Sequence, residues 1–139
     1  MNDMYLLDTS GLRVVQAQAP CAVVQWIQEA ADSDLHISAV TIGDIQAGIE
    51  ATREQADAKA SEREQWLAQV AENFNVLAMD AQTFREWARL MHRASDTLYE
   101  DAMIAATARV HKLTVVTRNI ADFKQFKVEV LNPFQTTRK

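Results

Sequence analysis

Five short β-like runs recur along the chain, Met4–Leu7, Leu35–Ser38, Val76–Met79, Thr114–Thr117 and Val128–Leu131, and most are apolar throughout. A strand with one face in water alternates apolar and polar side chains, whereas a continuous apolar run predicts a strand covered on both faces. Helical patterns lie between the runs. Pro20 suits the first turn of a helix reaching about Ala31, with Val23, Val24 and Ile27 as its apolar stripe and Trp26 beside it. Val40–Ile49, residues 53–73, Ala81–Arg93 and Leu98–Lys112 read as further helices, and Trp66, Leu67 and Val70 give the long charged one an apolar face. Strands alternating with helices predict an α/β fold around a parallel sheet.

A chain of 139 residues, 48% of them hydrophobic, is long enough for one domain with a buried core. Its net charge of −5 argues against holding nucleic acid by bulk electrostatics. It leaves open an enzyme that acts on nucleic acid through bound cations. The single cysteine, Cys21, forms no internal disulfide and fits a reducing cytosol. Residues 1–7 lack the pattern of a signal peptide, and no run approaches the roughly 18 apolar residues of a membrane span. A cytoplasmic protein is expected.

In parallel sheets, sites form beyond the carboxyl ends of the strands. Asp8 directly follows the first run, Asp44 lies early in the helix after the second, and Asp122 lies just past the fourth. Pattern alone therefore gathers three carboxylates near one edge. Two helices separate Asp101 from the third run, and counting elements up and down does not place it. Each acid also has a purely structural reading. Asp8 can open an Asx turn with Thr9 and Ser10. Asp44, three residues after Thr41, resembles the far end of a capping box. Asp101 suits the first turn of a helix capped by Asp96 or Thr97, with Glu100 as its rival for any special role, and Asp122 suits a turn. None of these signals is specific alone. Several acids at one edge would raise one another's pKa, and oxygen-only ligands of this kind suit Mg²⁺ or Mn²⁺. His36, His92 and His111 show no ligand spacing, and no P-loop, dinucleotide or zinc motif is present.

The segments "LLDTS", "ISAVTIGDIQAGIE", "DAMIAATARVHKLTVVTRNIADF" and "VEVLNPF", in this order, are far more specific together. They resemble PIN-domain proteins, in particular the VapC-like and FitB-like toxins of type II toxin–antitoxin systems. The resemblance runs from Tyr5 to Phe134 and is most specific over Asp101–Phe123. It implies a single PIN domain over residues 1–139, with a core of about 4–134. The implied fold is a three-layer α/β/α sandwich with a mainly parallel sheet of about five strands. The implied activity is that of a metal-dependent endoribonuclease, cleaving RNA phosphodiester bonds by metal-activated water. Matched by motif, Asp8, Asp44, Asp101 and Asp122 are the catalytic acids. Asp8, Asp101 and Asp122 would hold Mg²⁺ or Mn²⁺, with Asp44 a weaker or outer partner, and Thr9, Thr117 and Asn119 would support the acids.

The sequence departs from the family pattern at two places. Asp44 stands where the family usually has Glu, one methylene longer, and Arg13 and Val14 stand where related toxins often carry Ser-Glu. The resemblance further implies a homodimer and a separate, DNA-binding antitoxin covering the groove beside the 41–73 helical arm. Arg118, Lys124, Lys127, Arg138 and Lys139 are candidate guides for the RNA strand. The alternative is a catalytically weakened PIN module that acts mainly as a protein-binding partner. A phosphoacceptor receiver domain fits less well, since a single Asp8 follows the first strand and no convincing Lys follows a later one.

Overall fold

The computed structural model describes residues 4–8 and 35–132. The expected helix from Pro20 to Ala31 lies outside these residues, as do Thr9, Ser10, Arg13, Val14, Arg138 and Lys139.

Strand β1 (Tyr5–Leu7) is central to the sheet. It pairs with β2 (Leu35–Ser38) on one side and with β4 (Thr114–Val116) on the other. Strand β3 (Asn75–Leu77) flanks β2 and β5 (Val130–Leu131) flanks β4, giving a five-stranded, all-parallel sheet in the order β3-β2-β1-β4-β5. The connections carry α1 (Ala39–Arg53), α2 (Asp57–Asn73), α3 (Ala81–Met91), α4 (Tyr99–His111) and α5 (Ile120–Lys124).

Successive strand residues point to opposite faces, and the core divides accordingly. Leu6 and Val115 pack with Ala102, Ala105, Phe123 and Phe126 from the α4 and α5 side. Leu7, Ile37 and Val116 pack with Ile45, Ile49, Leu67 and Val70 from the α1–α2 side. Helices thus cover both faces, and the three-layer α/β/α sandwich expected from the sequence is the fold observed. The third apolar run is an exception to two-sided burial. β3 begins one residue earlier than expected and is mostly exposed, because it is the edge strand.

Helix α1 starts before Val40 because Ser38 caps it, its hydroxyl accepting the Val40 N–H at 3.0 Å. Thr41 therefore lies inside the first turn and is not the cap the sequence suggested. The predicted helix over 53–73 begins only at Asp57. Residues 54–56 turn the chain back, with the N–H groups of Gln55 and Ala56 both donating to the Thr52 carbonyl. The α1–α2 hairpin is tied at its surface by Arg53, which bridges Glu50 and Glu64.

Candidate active site

Strand order reverses at β1, whose neighbours β2 and β4 lead outward in opposite directions. The crevice beyond the carboxyl ends of β1 and β4 is the topological switch point of the sheet, where open α/β folds bind ligands. Asp8 is the first residue after β1, and Thr117 the first after β4. Asp8 is 5% exposed. Its backbone N–H donates to the Val116 carbonyl at 3.2 Å, so the sheet ladder itself fixes the carboxylate at the edge. Thr117 is fully buried and its Oγ1 donates to Asp8 Oδ2 at 2.6 Å. Thr117 Oγ1 in turn accepts the Asn119 backbone N–H at 2.9 Å. Of the support positions expected from the sequence, Thr117 touches Asp8, and Asn119 touches Thr117 through its backbone.

Asp101 and Asp122 each occupy the third position of a helix, α4 and α5 respectively. The positive amino end of α4 favours an acid at that position. Its first cap is neither Asp96 nor Thr97. Ser95 caps a 3₁₀ turn over Asp96–Leu98, its hydroxyl accepting the Thr97 N–H at 3.2 Å, and α4 follows directly. The turn and α3 carry the chain from β3, on one side of β1, to β4 on the other, which brings Asp101 to the switch point. The Asp101 carboxyl is pushed up to about 6, first by burial and then by the charges of Asp122, Asp8 and Glu100. Asp101 thus senses three other acids, two of them the partners the sequence assigned to it.

Asp44 lies in the second turn of α1, half-buried. Its charge reaches Glu100, in the first turn of α4. Burial and the Asp44 charge raise the Glu100 pKa. The sequence offered Glu100 only as a rival to Asp101; the structure brings both into the acidic neighbourhood.

Among the described residues, no three His, Cys, Asp or Glu side chains are gathered closely enough to enclose a metal ion. The donor set nonetheless fits one. It is built of carboxylate oxygens whose mutual repulsion is visible at Asp101, and a hard divalent cation offsets such repulsion. His36 is buried in β2, His92 is exposed past the end of α3, and His111 is exposed at the opposite end of α4 from Asp101.

A five-stranded, all-parallel sheet with helices on both faces and acids near its switch point defines a class of α/β proteins. Within that class the match is specific: the PIN domain model covers residues 5–129, and the chain belongs to the PIN domain family. It is 32% identical over 139 residues to plasmid stability protein StbB of Pseudomonas syringae pv. tomato, covering 95% of this chain and 99% of that protein. It is 28% identical over 141 residues to VapC ribonuclease Y4jK of Sinorhizobium fredii, covering 95% and 99%. The crystal structure of FitAcB from Neisseria gonorrhoeae superposes with a TM-score of 0.82 at 28% identity, covering 94% of this chain and 99% of that one.

Proposed function

We propose that this chain is a divalent-metal-dependent endoribonuclease and the toxin of a type II toxin–antitoxin pair. The observation that carries the reading is the electrostatic contact of Asp101 with Asp122 and Asp8, acids delivered to one edge by three different elements. RNA as substrate rests on the relative named a VapC ribonuclease, and toxicity on the relative named toxin FitB. A protein partner is suggested by the toxin–antitoxin complexes among the structural neighbours, one of them FitAB bound to a DNA fragment.

In this reading Asp8, Asp101 and Asp122 hold Mg²⁺ or Mn²⁺, and Asp44 contributes from the outer side. The cation, when bound, supplies Lewis acidity toward a phosphoryl oxygen and lowers the pKa of water. The chain's own residues prepare the place. Thr117 engages one oxygen of Asp8 and so restricts its rotation. Arg118, exposed between Thr117 and Asn119, stands at the same edge and is suited to meeting a phosphate. Lys124 ends α5 and Lys127 follows it, and both fit a path for the strand leaving the site.

The test is cleavage of RNA by purified protein with Mg²⁺ or Mn²⁺, with the ends of the fragments mapped. Asp8→Ala and Asp101→Ala should each abolish metal-dependent cleavage and any growth arrest on expression. Full toxicity in both variants would sink the assignment. Sizing the protein alone, and with the product of the adjacent small gene, tests the homodimer and the antitoxin complex.

A further inference from the structure

The acids lie beyond the carboxyl ends of β1 and β4, and the other edge of the sheet carries the opposite charge. Two cavities of about 530 and 540 Å³ adjoin there. The first reaches Thr114, where β4 begins, and Glu129, just before β5. Both have Glu86, Arg109 and Lys127 in their walls, which makes them one open groove. Five Lys or Arg side chains line it against two Glu, in a chain of net charge −5. One of those acids is already neutralised, since Glu86 pairs with Arg109 at 2.6 Å and with Arg89 at 2.8 Å. Arg109 also donates to the carbonyls of Phe126 and Lys127, which fixes it in place.

The three remaining cations share a backbone conformation. Arg93, Lys112 and Lys127 have φ of 73°, 60° and 59°, and among the described residues they are the only ones other than glycine in the left-handed region. They follow the ends of α3, α4 and α5 respectively. Such positions favour glycine, and a side chain there costs stability. The sequence nonetheless places an exposed Lys or Arg at each, and all three line the same groove. Arg93 lines one cavity, Lys112 the other and Lys127 both, so the charges form a row.

A row of separated positive charges matches a row of negative ones, which a phosphate backbone supplies and a single carboxylate or phosphate does not. A protein partner fits less well. The exposed large apolar side chains among the described residues are Met4, Val76, Phe84 and Tyr99, and none of these anchors lines the groove. We propose that the groove holds the backbone of the RNA away from the bond that is cut, with Arg93, Lys127 and Lys112 each meeting a phosphate. At about 1.5 Å per residue, the axis of α4 carries the chain roughly 16 Å from Asp101 to Lys112, so the strand is gripped at a distance from the acids. This rests on the reading of RNA as the substrate. It explains how a chain of net charge −5 guides a polyanion without bulk electrostatics.

Fluorescently labelled single-stranded RNA is titrated with the full chain in EDTA, so that nothing is cut, and anisotropy gives the affinity between about 50 and 200 mM salt. Each lost phosphate contact lowers the slope of log affinity against log salt by about 0.7. The triple variant Arg93→Gly, Lys112→Gly, Lys127→Gly should therefore lower it by about 2 and weaken binding alike for all RNA sequences. Glycine suits the backbone at all three positions, so the melting temperature should not fall. Single Asn variants also tolerate left-handed backbone; each should lower the slope by about 0.7, and they carry the test if the triple variant does not fold. A wild-type slope in folded variants overturns the proposal and leaves the ribonuclease reading standing. An unchanged RNA slope with lost binding to poly-glutamate assigns the groove to an acidic protein segment and overturns it too. A wild-type chain that neither binds RNA nor cuts it with Mg²⁺ or Mn²⁺ overturns both.

Discussion

At the scale of the residue, Asp8 shows how a local pattern becomes decisive through a distant partner. Nothing in the segment around Asp8 distinguishes a turn from a ligand. The distinction comes from Thr117, 109 positions away, whose buried hydroxyl points its proton at Asp8 Oδ2. Thr117→Val keeps the shape of the side chain and removes that bond. It should weaken Mn²⁺ binding about 10-fold while lowering stability by about 1 kcal/mol, read by calorimetry and chemical denaturation. Unchanged affinity would show that Asp8 needs no such support. Asp101 gives the opposite sign for stability. Its carboxyl is raised to about 6 by burial and by neighbouring acids, so its charge disfavours the metal-free fold at neutral pH. Asp101→Asn should therefore stabilise the metal-free protein at about pH 7.5, by about 1 kcal/mol, a figure kept small because the carboxyl is half-exposed and screened. The same variant should lose cation binding. A destabilised Asp101→Asn would mean that its hydrogen bonds outweigh the repulsion.

At the scale of the element, the five strands and helices α1 to α4 were legible from periodicity, but their ends were not, and α5 was missed because Asp122 read as a turn residue. Ser38 reads as the last residue of a strand, yet its hydroxyl opens α1. Thr41 reads as a cap, yet it is buried inside the first turn, and Asp44 moves from a capping position to the second turn. Capping residues look alike in sequence, and which one acts is decided by where the sheet releases the chain. Helix α3 starts at Ala81, as the periodicity predicts, and ends at Met91, two residues before the expected Arg93. Asp80 accepts the N–H of Thr83 at 2.9 Å and its hydroxyl at 2.7 Å, and Thr83 is fully buried. Asp80→Ala should cost about 1 kcal/mol, measurable as a shift of the denaturation midpoint. At the other end of α4, Lys112 closes the helix in the left-handed region at φ 60°, where a side chain is strained. Lys112→Gly should raise stability by about 0.5–1 kcal/mol, and a loss would show that the lysine side chain contributes more than its backbone costs.

At the scale of the whole molecule, the parallel sheet and its two-sided cover follow from apolar runs separated by helices. The route that brings Asp101 to the site does not. Between β3 and β4 the chain crosses from one side of β1 to the other through α3, a 3₁₀ turn and α4. Counting elements cannot reveal that crossing; in the sequence only the resemblance to the family motif suggested a place for Asp101. Asp122, Asp8 and Glu100 all act on Asp101 in a chain already at net charge −5, so under the proposed function cation binding and stability are linked. In the metal-free protein the Asp101 carboxyl holds its proton to about pH 6, above the ordinary 3.8 it has when unfolded. Between about pH 4 and 6 the folded state therefore binds more protons than the unfolded state, and this group's contribution to stability falls as pH rises through that window. A divalent cation competes for the same oxygens and prefers the deprotonated set. Mn²⁺ at about 100 times its Kd should add about 2.7 kcal/mol at pH 7.5, on the order of a 10 °C rise in Tm. That rise should shrink steadily below about pH 6 as Asp101 takes up its proton. Melting curves with Mn²⁺ and with EDTA across about pH 5 to 8 measure both effects. A cation-induced rise of equal size at both ends of that range would dissociate metal binding from Asp101.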